Sequence, residues 1–113
     1  MDENLSIGLF ISSDRIYLKE LPAFKIGLKI QNRNKETVHF DIAKTELFVN
    51  NVKNLAWDLA VHNGTIINLK IRSEHSKIVQ WPLGEALFSK AGIYQLRLEW
   101  KDYVQEQDIL VIE

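Results

Sequence analysis

The chain has 113 residues, with 14 Lys or Arg, 15 Asp or Glu, a formal net charge of −1, and 46% apolar residues. That length suits one domain over residues 1–113, large enough for a core without covalent staples. The interleaved charges leave no basic stripe to follow a phosphate backbone and no amphipathic stretch to lie on a membrane, and the absence of cysteine excludes disulfides, thiolate zinc sites and cysteine nucleophiles.

Met1-Asp2-Glu3-Asn4 is acidic and lacks the basic region and apolar run of a secretory signal. As a full-length chain this reads as cytoplasmic; as a domain cut from a longer secreted protein it would be extracellular. Leu5 to Ile11 is a short apolar segment ended by Ser12-Ser13-Asp14, and Arg15 to Lys19 continues as a second strand. Glu20-Leu21-Pro22-Ala23 breaks it, because proline has no N–H for a central ladder. Phe24, Ile26, Leu28 and Ile30 then share one parity, with Lys25, Gly27, Lys29 and Gln31 on the other, so the stretch is a strand with one dry face. Gln31 to Glu36 is a polar turn. Val38, Phe40 and Ile42 alternate after it, followed by Leu47-Phe48-Val49.

Asn50-Asn51 is a predicted hairpin tip, since asparagine tolerates positive φ. Leu55, Trp57, Leu59 and Val61 share a parity and read as a strand face, with Ala56, Asp58 and Ala60 opposite. His62-Asn63-Gly64 is a second hairpin signal. Thr65 to Ile71 is strand-like, Arg72 to Lys77 is a charged loop, and Val79 and Trp81 form a short strand stopped at Pro82. Glu85 to Lys90 reads as a single helical turn. The cleanest strand is Gly92 to Trp100: Tyr94, Leu96, Leu98 and Trp100 alternate with Gln95, Arg97 and Glu99. Lys101-Asp102 turns it, and Ile109 to Ile112 closes the chain. The sum is an all-β chain of about seven to nine short strands with no convincing helix.

The segment Leu87-Phe88-Ser89-Lys90-Ala91-Gly92-Ile93-Tyr94 resembles the corner before the sixth strand of immunoglobulin-like domains, where a tyrosine hydroxyl bonds back to the backbone upstream. The resemblance gives Tyr94 that role and puts Leu96 and an apolar residue such as Leu28 where antibody domains carry cysteines. Phe24 to Phe40, with its strand, Asn turn and strand, is similar to bacterial immunoglobulin-like domains. Together with GIYQLRLEW it resembles small intracellular proteinase inhibitors of the subtilisin-inhibiting kind. The fold implied is an immunoglobulin-like antiparallel β-sandwich, and the function implied is inhibition or regulation of a proteinase through a rigid loop.

Three tryptophans invite a carbohydrate-binding reading, but Trp57, Trp81 and Trp100 all share parity with apolar neighbours, which favours core packing. His39, His62 and His75 lack metal-ligand spacing and read as solvated. No serine sits in a nucleophile elbow and no glycine-rich phosphate cradle is present, so neither an enzyme nor a cofactor is expected. Asn63-Gly64-Thr65 fits a glycan acceptor, and the turn explains it better. Function then falls to loops and edge strands. The candidate partner-binding residues are Asn32, Arg33, Asn34, Asn51, Val52, His62, Asn63 and His75. Val52 is an apolar residue at a polar tip, expected to fold back onto its sheet. The leading expectation is a non-catalytic protein-binding module; a structural or adhesion repeat of a larger surface protein and a carbohydrate-binding module are the alternatives.

Overall fold

A computed structural model describes residues 4–62 and 68–113. Its strands, in chain order, are β1 Leu5–Ile11, β2 Arg15–Tyr17, β3 Ile26–Asn32, β4 Val38–Asp41, β5 Glu46–Val49, β6 Val52–Lys53, β7 Asn68–Ile71, β8 Ser76–Trp81, β9 Gly92–Trp100 and β10 Tyr103–Ile112. Two α-helical segments, α1 Leu55–His62 and α2 Gly84–Leu87, and two 3-10 turns at Leu18–Ala23 and Ile42–Lys44 complete it. The molecule is thus mostly β, with ten strands among the described residues.

Three sheets form, in the orders β1-β3-β8, β2-β10-β9-β5-β6 and β4-β7. All strand pairs are antiparallel except β2 with β10, where Arg15, Ile16 and Tyr17 run parallel to Leu110, Val111 and Ile112. That pairing needs no tight turn, because most of the chain separates the two strands.

One core joins the sheets. Phe24, Ile26, Leu28 and Ile30 are each fully buried, as their common parity predicts, and meet Leu47, Leu96, Leu98, Ile109 and Val111 from the five-stranded sheet. Phe40, Leu69 and Ile71 of the β4-β7 pair enter the same cluster. Gly27 on the other face of β3 is set by a close approach: a Cβ there would lie 1.7 Å from the Val79 carbonyl oxygen. Tyr94 donates its hydroxyl to the Lys90 carbonyl at 2.7 Å and accepts from the Lys90 N–H at 3.3 Å. Its ring packs on Phe88, with centroids 4.7 Å apart. The Asn50-Asn51 tip forms as expected, with φ of 50° and 68°, and closes Val49 onto Val52. Positive φ at both central residues is the geometry that two-residue hairpins prefer.

The expectation that corrects most is the one over Leu55 to Val61. This segment is α1, not a strand. The Asn54 side chain accepts the Trp57 N–H at 2.8 Å and caps the first turn. The apolar alternation misleads because Ala56 and Ala60 fill most of the opposite parity, so the segment is apolar nearly all round and carries no clean period of two. At about 100° per residue, positions four apart share a face. Trp57 and Val61 therefore go in, both fully buried, while Leu55 and Leu59 come out. The all-β expectation gives way to a β-rich fold with helical insertions, and the Asn63-Gly64 hairpin expectation lies outside the described residues. The helical turn expected over Glu85 to Lys90 is present as α2, shifted toward Gly84–Leu87.

Candidate interaction surface

The β5-β6 hairpin and α1 are consecutive, and both expose large apolar side chains. Two asparagines hold the hairpin tip to β9. The Asn50 Oδ1 accepts the Gln95 N–H at 2.9 Å, and the Asn50 N–H donates to the Gln95 carbonyl at 2.9 Å. The Asn51 Oδ1 accepts from the Arg97 guanidinium. That guanidinium also lies 4.5 Å above the Phe48 ring and bonds Glu99 at 2.7 Å, so Arg97 is fixed on three sides.

Beyond the tip comes α1. Its inner face is anchored by Trp57, whose indole N–H donates to Thr45 Oγ1 at 3.2 Å. Thr45 is itself buried, and its hydroxyl donates to the Ile42 carbonyl at 2.7 Å. The Trp57 ring meets Trp81 edge-on, centroids 5.4 Å apart. A buried indole with its N–H satisfied fixes the rotation of the helix about its axis. That rotation leaves Leu55 71% and Leu59 72% exposed, next in sequence to Val52 at 68%. Three large apolar side chains thus stand in water within eight residues of chain. Leu55 and Leu59, four residues apart on α1, share one exposed face, and Val52 is exposed on the strand before it; several exposed large apolar side chains, not one, mark a candidate interaction site.

Charge borders this strip. Lys53 on β6 reaches Glu46 at 3.0 Å and Asp58 of α1 at 3.5 Å. The hydrogen bond to Glu46, followed by the charge of Asp58, raises the Lys53 ammonium above the usual lysine range. All three partners are partly open to solvent, so the bridge joins hairpin to helix in position and adds little to stability.

The candidate residues named from sequence separate into two groups. Asn51, Val52 and His62 belong to the hairpin and α1; His62 ends the helix, exposed, with its Nδ1 2.7 Å from the Asp58 carbonyl. Val52 does not fold back onto the sheet, because it sits on an edge strand of two residues with nothing above it. Asn32, Arg33, Asn34 and His75 gather at a second place, where the loop after β3 meets the loop before β8. The Asn32 N–H bonds the His75 carbonyl at 2.9 Å, and Ser73 Oγ donates to the Asn34 carbonyl at 2.6 Å. Asn32 is buried, with 1% exposure. Its amide donates to the carbonyls of Glu36 and Ile71, both at 2.9 Å, while its Oδ1 accepts from Asn34. It is therefore a structural side chain that shapes its loop from within and is not available to a partner. Arg33 and His75 are exposed. Asn63 lies outside the described residues.

Leu55 and Leu59, the largest part of the apolar strip, were not among the candidates drawn from sequence. The signal that could have found them is Asn54 as a cap ahead of alanine-rich sequence. Among the described residues no group of three or more His, Cys, Asp or Glu side chains could hold a metal ion. A shallow depression lined by Asp14, Arg15, Ile93, Asp108, Ile109 and Leu110 brings no nucleophile and base together. No helix among the described residues is long and apolar enough to cross a membrane. Trp57 and Trp100 are buried, and Trp81 is half-buried against Trp57, so none of the three is an open platform for a sugar ring.

No family model and no curated protein matches the chain. Among solved structures it is similar to part of a β-glucosidase from Erythrobacter marinus, at 11% identity and a TM-score of 0.56, over 96% of this chain and 15% of that one. A β-glucosidase from Listeria innocua in complex with gluconolactone matches at 10% identity and a TM-score of 0.52, over 96% of this chain and 16% of that one. The structure of the Listeria innocua enzyme without a named ligand matches over the same shares, at 10% identity and a TM-score of 0.51. Likeness at this identity concerns the fold alone. The chain spans about one-sixth of the length of these structures.

Proposed function

We propose that the chain is an immunoglobulin-like sandwich serving as a non-catalytic protein-binding module, with Val52, Leu55 and Leu59 as the apolar centre of its contact surface. The fold part of this reading is supported by the strand orders β1-β3-β8 and β2-β10-β9-β5-β6, by the parallel β2-β10 pair, and by the Tyr94 hydroxyl bonded back to Lys90. The function part is carried by one observation: two leucines more than 70% exposed on a helix whose other face is locked by Trp57. A helix that packs on one side and presents leucines four residues apart on the other offers the spacing with which helical faces meet partners.

The test compares binding by the wild-type chain with that of Leu55→Lys and Leu59→Lys. Loss of a partner's binding in both variants, with an unchanged circular dichroism spectrum, is the expected result. A partner held equally by all three chains would remove the strip from the proposal.

A narrower version, drawn from the resemblance to proteinase inhibitors, has the loop after β3 enter a protease cleft. Its support is rigidity: Asn32 ties that loop from inside to Glu36 and Ile71. A preformed loop binds with little rearrangement. Titration into a subtilisin-type serine protease decides it, since undiminished peptide hydrolysis at micromolar protein would exclude inhibition.

A second reading is a module working inside a longer polypeptide. Its support is the size of the matched solved structures, in which the likeness occupies 15% to 16% of the chain. In that setting the same apolar strip would contact a neighbouring domain.

A further inference from the structure

The edges of the two larger sheets are protected unequally. β2 and β6 bound the five-stranded sheet and are three and two residues long, and β2 pairs with only Leu110, Val111 and Ile112 of β10. β1 bounds the three-stranded sheet, and the Leu9 N–H on its outer side donates to Oε1 of Gln105 at 2.8 Å. A side chain from the opposite sheet thus meets one outward N–H of that seven-residue edge. β8 bounds the other side with six residues. Its backbone orientation follows from the loop: Asn32 N–H donates to His75 O at 2.9 Å, in the same register that sets Gln31 opposite Ser76. Hydrogen-bonded and non-bonded pairs alternate along an antiparallel ladder. Lys77, Val79 and Trp81 therefore turn their backbone groups to β3, and Ser76, Ile78 and Gln80 turn theirs outward. Among the described residues nothing accepts or donates to those outward groups.

We propose that β8 pairs antiparallel with β8 of a second copy of this chain, about a twofold axis through Ile78, and so joins two three-stranded sheets into one. The strand is self-complementary in this register. Ser76 faces Gln80 of the partner subunit, Ile78 faces Ile78 of the partner subunit, and Lys77 faces Val79 of the partner subunit. All three outward residues then form bonded pairs, which gives on the order of six backbone hydrogen bonds. Lys77 is the only charged residue of the strand, and this register never sets it against its own copy. A register centred on Val79 would place Pro82, which has no N–H, across from Ser76 and lose part of the ladder. Ile78, 48% exposed, gains an apolar neighbour at the axis. The contact is small by the standard of stable dimers, so association is weak and depends on concentration.

Sedimentation velocity from about 10 µM to about 1 mM tests this, with amide exchange read at the two extremes. The expected result is a shift from monomer to dimer, with slowed exchange at Ser76, Ile78 and Gln80. Ile78→Pro removes the central donor at an edge position where proline is tolerated, and Ile78→Lys sets like charges at the axis. Both should weaken dimerisation at least ~10-fold with the fold intact by circular dichroism; should the proline variant fail to fold, the lysine variant stands alone. Leu59→Lys should dimerise as the wild type does, which separates this contact from the apolar strip of α1. A wild-type chain that stays monomeric at about 1 mM overturns the proposal. So does an Ile78→Lys dimer of wild-type strength, or a dimer abolished by Leu59→Lys.

Discussion

β9 and α1 begin from similar raw material and end as opposites. Each carries four large apolar residues two apart: Tyr94, Leu96, Leu98 and Trp100 in one, Leu55, Trp57, Leu59 and Val61 in the other. In β9 the intervening residues are Gln95, Arg97 and Glu99, and every apolar member points to the core side. In α1 the intervening residues are Ala56, Asp58 and Ala60, and the four apolar side chains divide two in and two out. Spacing of two is a strand signal only where the residues between would resist burial. Alanine does not resist it, favours helix, and lets an Asn54 cap decide the local structure.

The comparison can be broken most forcefully at Trp57. Trp57→Ala removes a fully buried indole, its bond to Thr45 and its contact with Trp81, and should cost about 3–5 kcal/mol in urea unfolding. A loss below ~1 kcal/mol would mean that α1 is not anchored as described. Asn32→Ala comes next at about 1–3 kcal/mol, because it strips the Ile71 carbonyl of a buried donor and undoes the loop. Gly27→Ala should cost a comparable ~1–3 kcal/mol, since the new methyl meets the Val79 carbonyl and β3 and β8 must separate. In β9, Tyr94→Phe should cost about 1 kcal/mol: its hydroxyl bond to Lys90 lies at the solvent edge, where water partly replaces it. A neutral Tyr94→Phe would leave that bond without a role in stability.

The smallest expected effect sharpens the contrast. Leu59→Lys should change stability by no more than about 0.5 kcal/mol, though it lies two residues from Trp57 and looks equivalent to it by parity. A loss of several kcal/mol there would restore the strand reading of this segment, or bury the helix face now described as open.

Much of the fold was legible residue by residue. β1 and β9 begin and end where their sequence patterns do, and β3 begins two residues after the start of its predicted stretch and ends one residue beyond it. The candidate surface was legible only in part. Asn51, Val52 and His62 stand exposed, Val52 against the expectation that it folds back onto its sheet, and they flank or end a helix where the alternation pointed to a strand. Asn32 looked like a loop asparagine because nothing local reveals the Ile71 carbonyl that it meets 39 residues away.

By itself the sequence determined what depends on neighbours along the chain. The alternation of polar and apolar residues set β3 and β9, the Asn50-Asn51 pair set a hairpin, Pro82 ended β8, and Tyr94 found a carbonyl only four residues back. These are short-range matters of backbone sterics and local hydrogen bonds. The tertiary structure alone decided which strands became edges, that β2 would run parallel to β10, and which way α1 would face. Each of these rests on contacts between segments far apart in sequence: Trp57 is oriented by Thr45 and Trp81, and β1 is shielded by Gln105. Exposure of Val52, Leu55 and Leu59, and of the outer side of β8, follows from where those distant contacts stop.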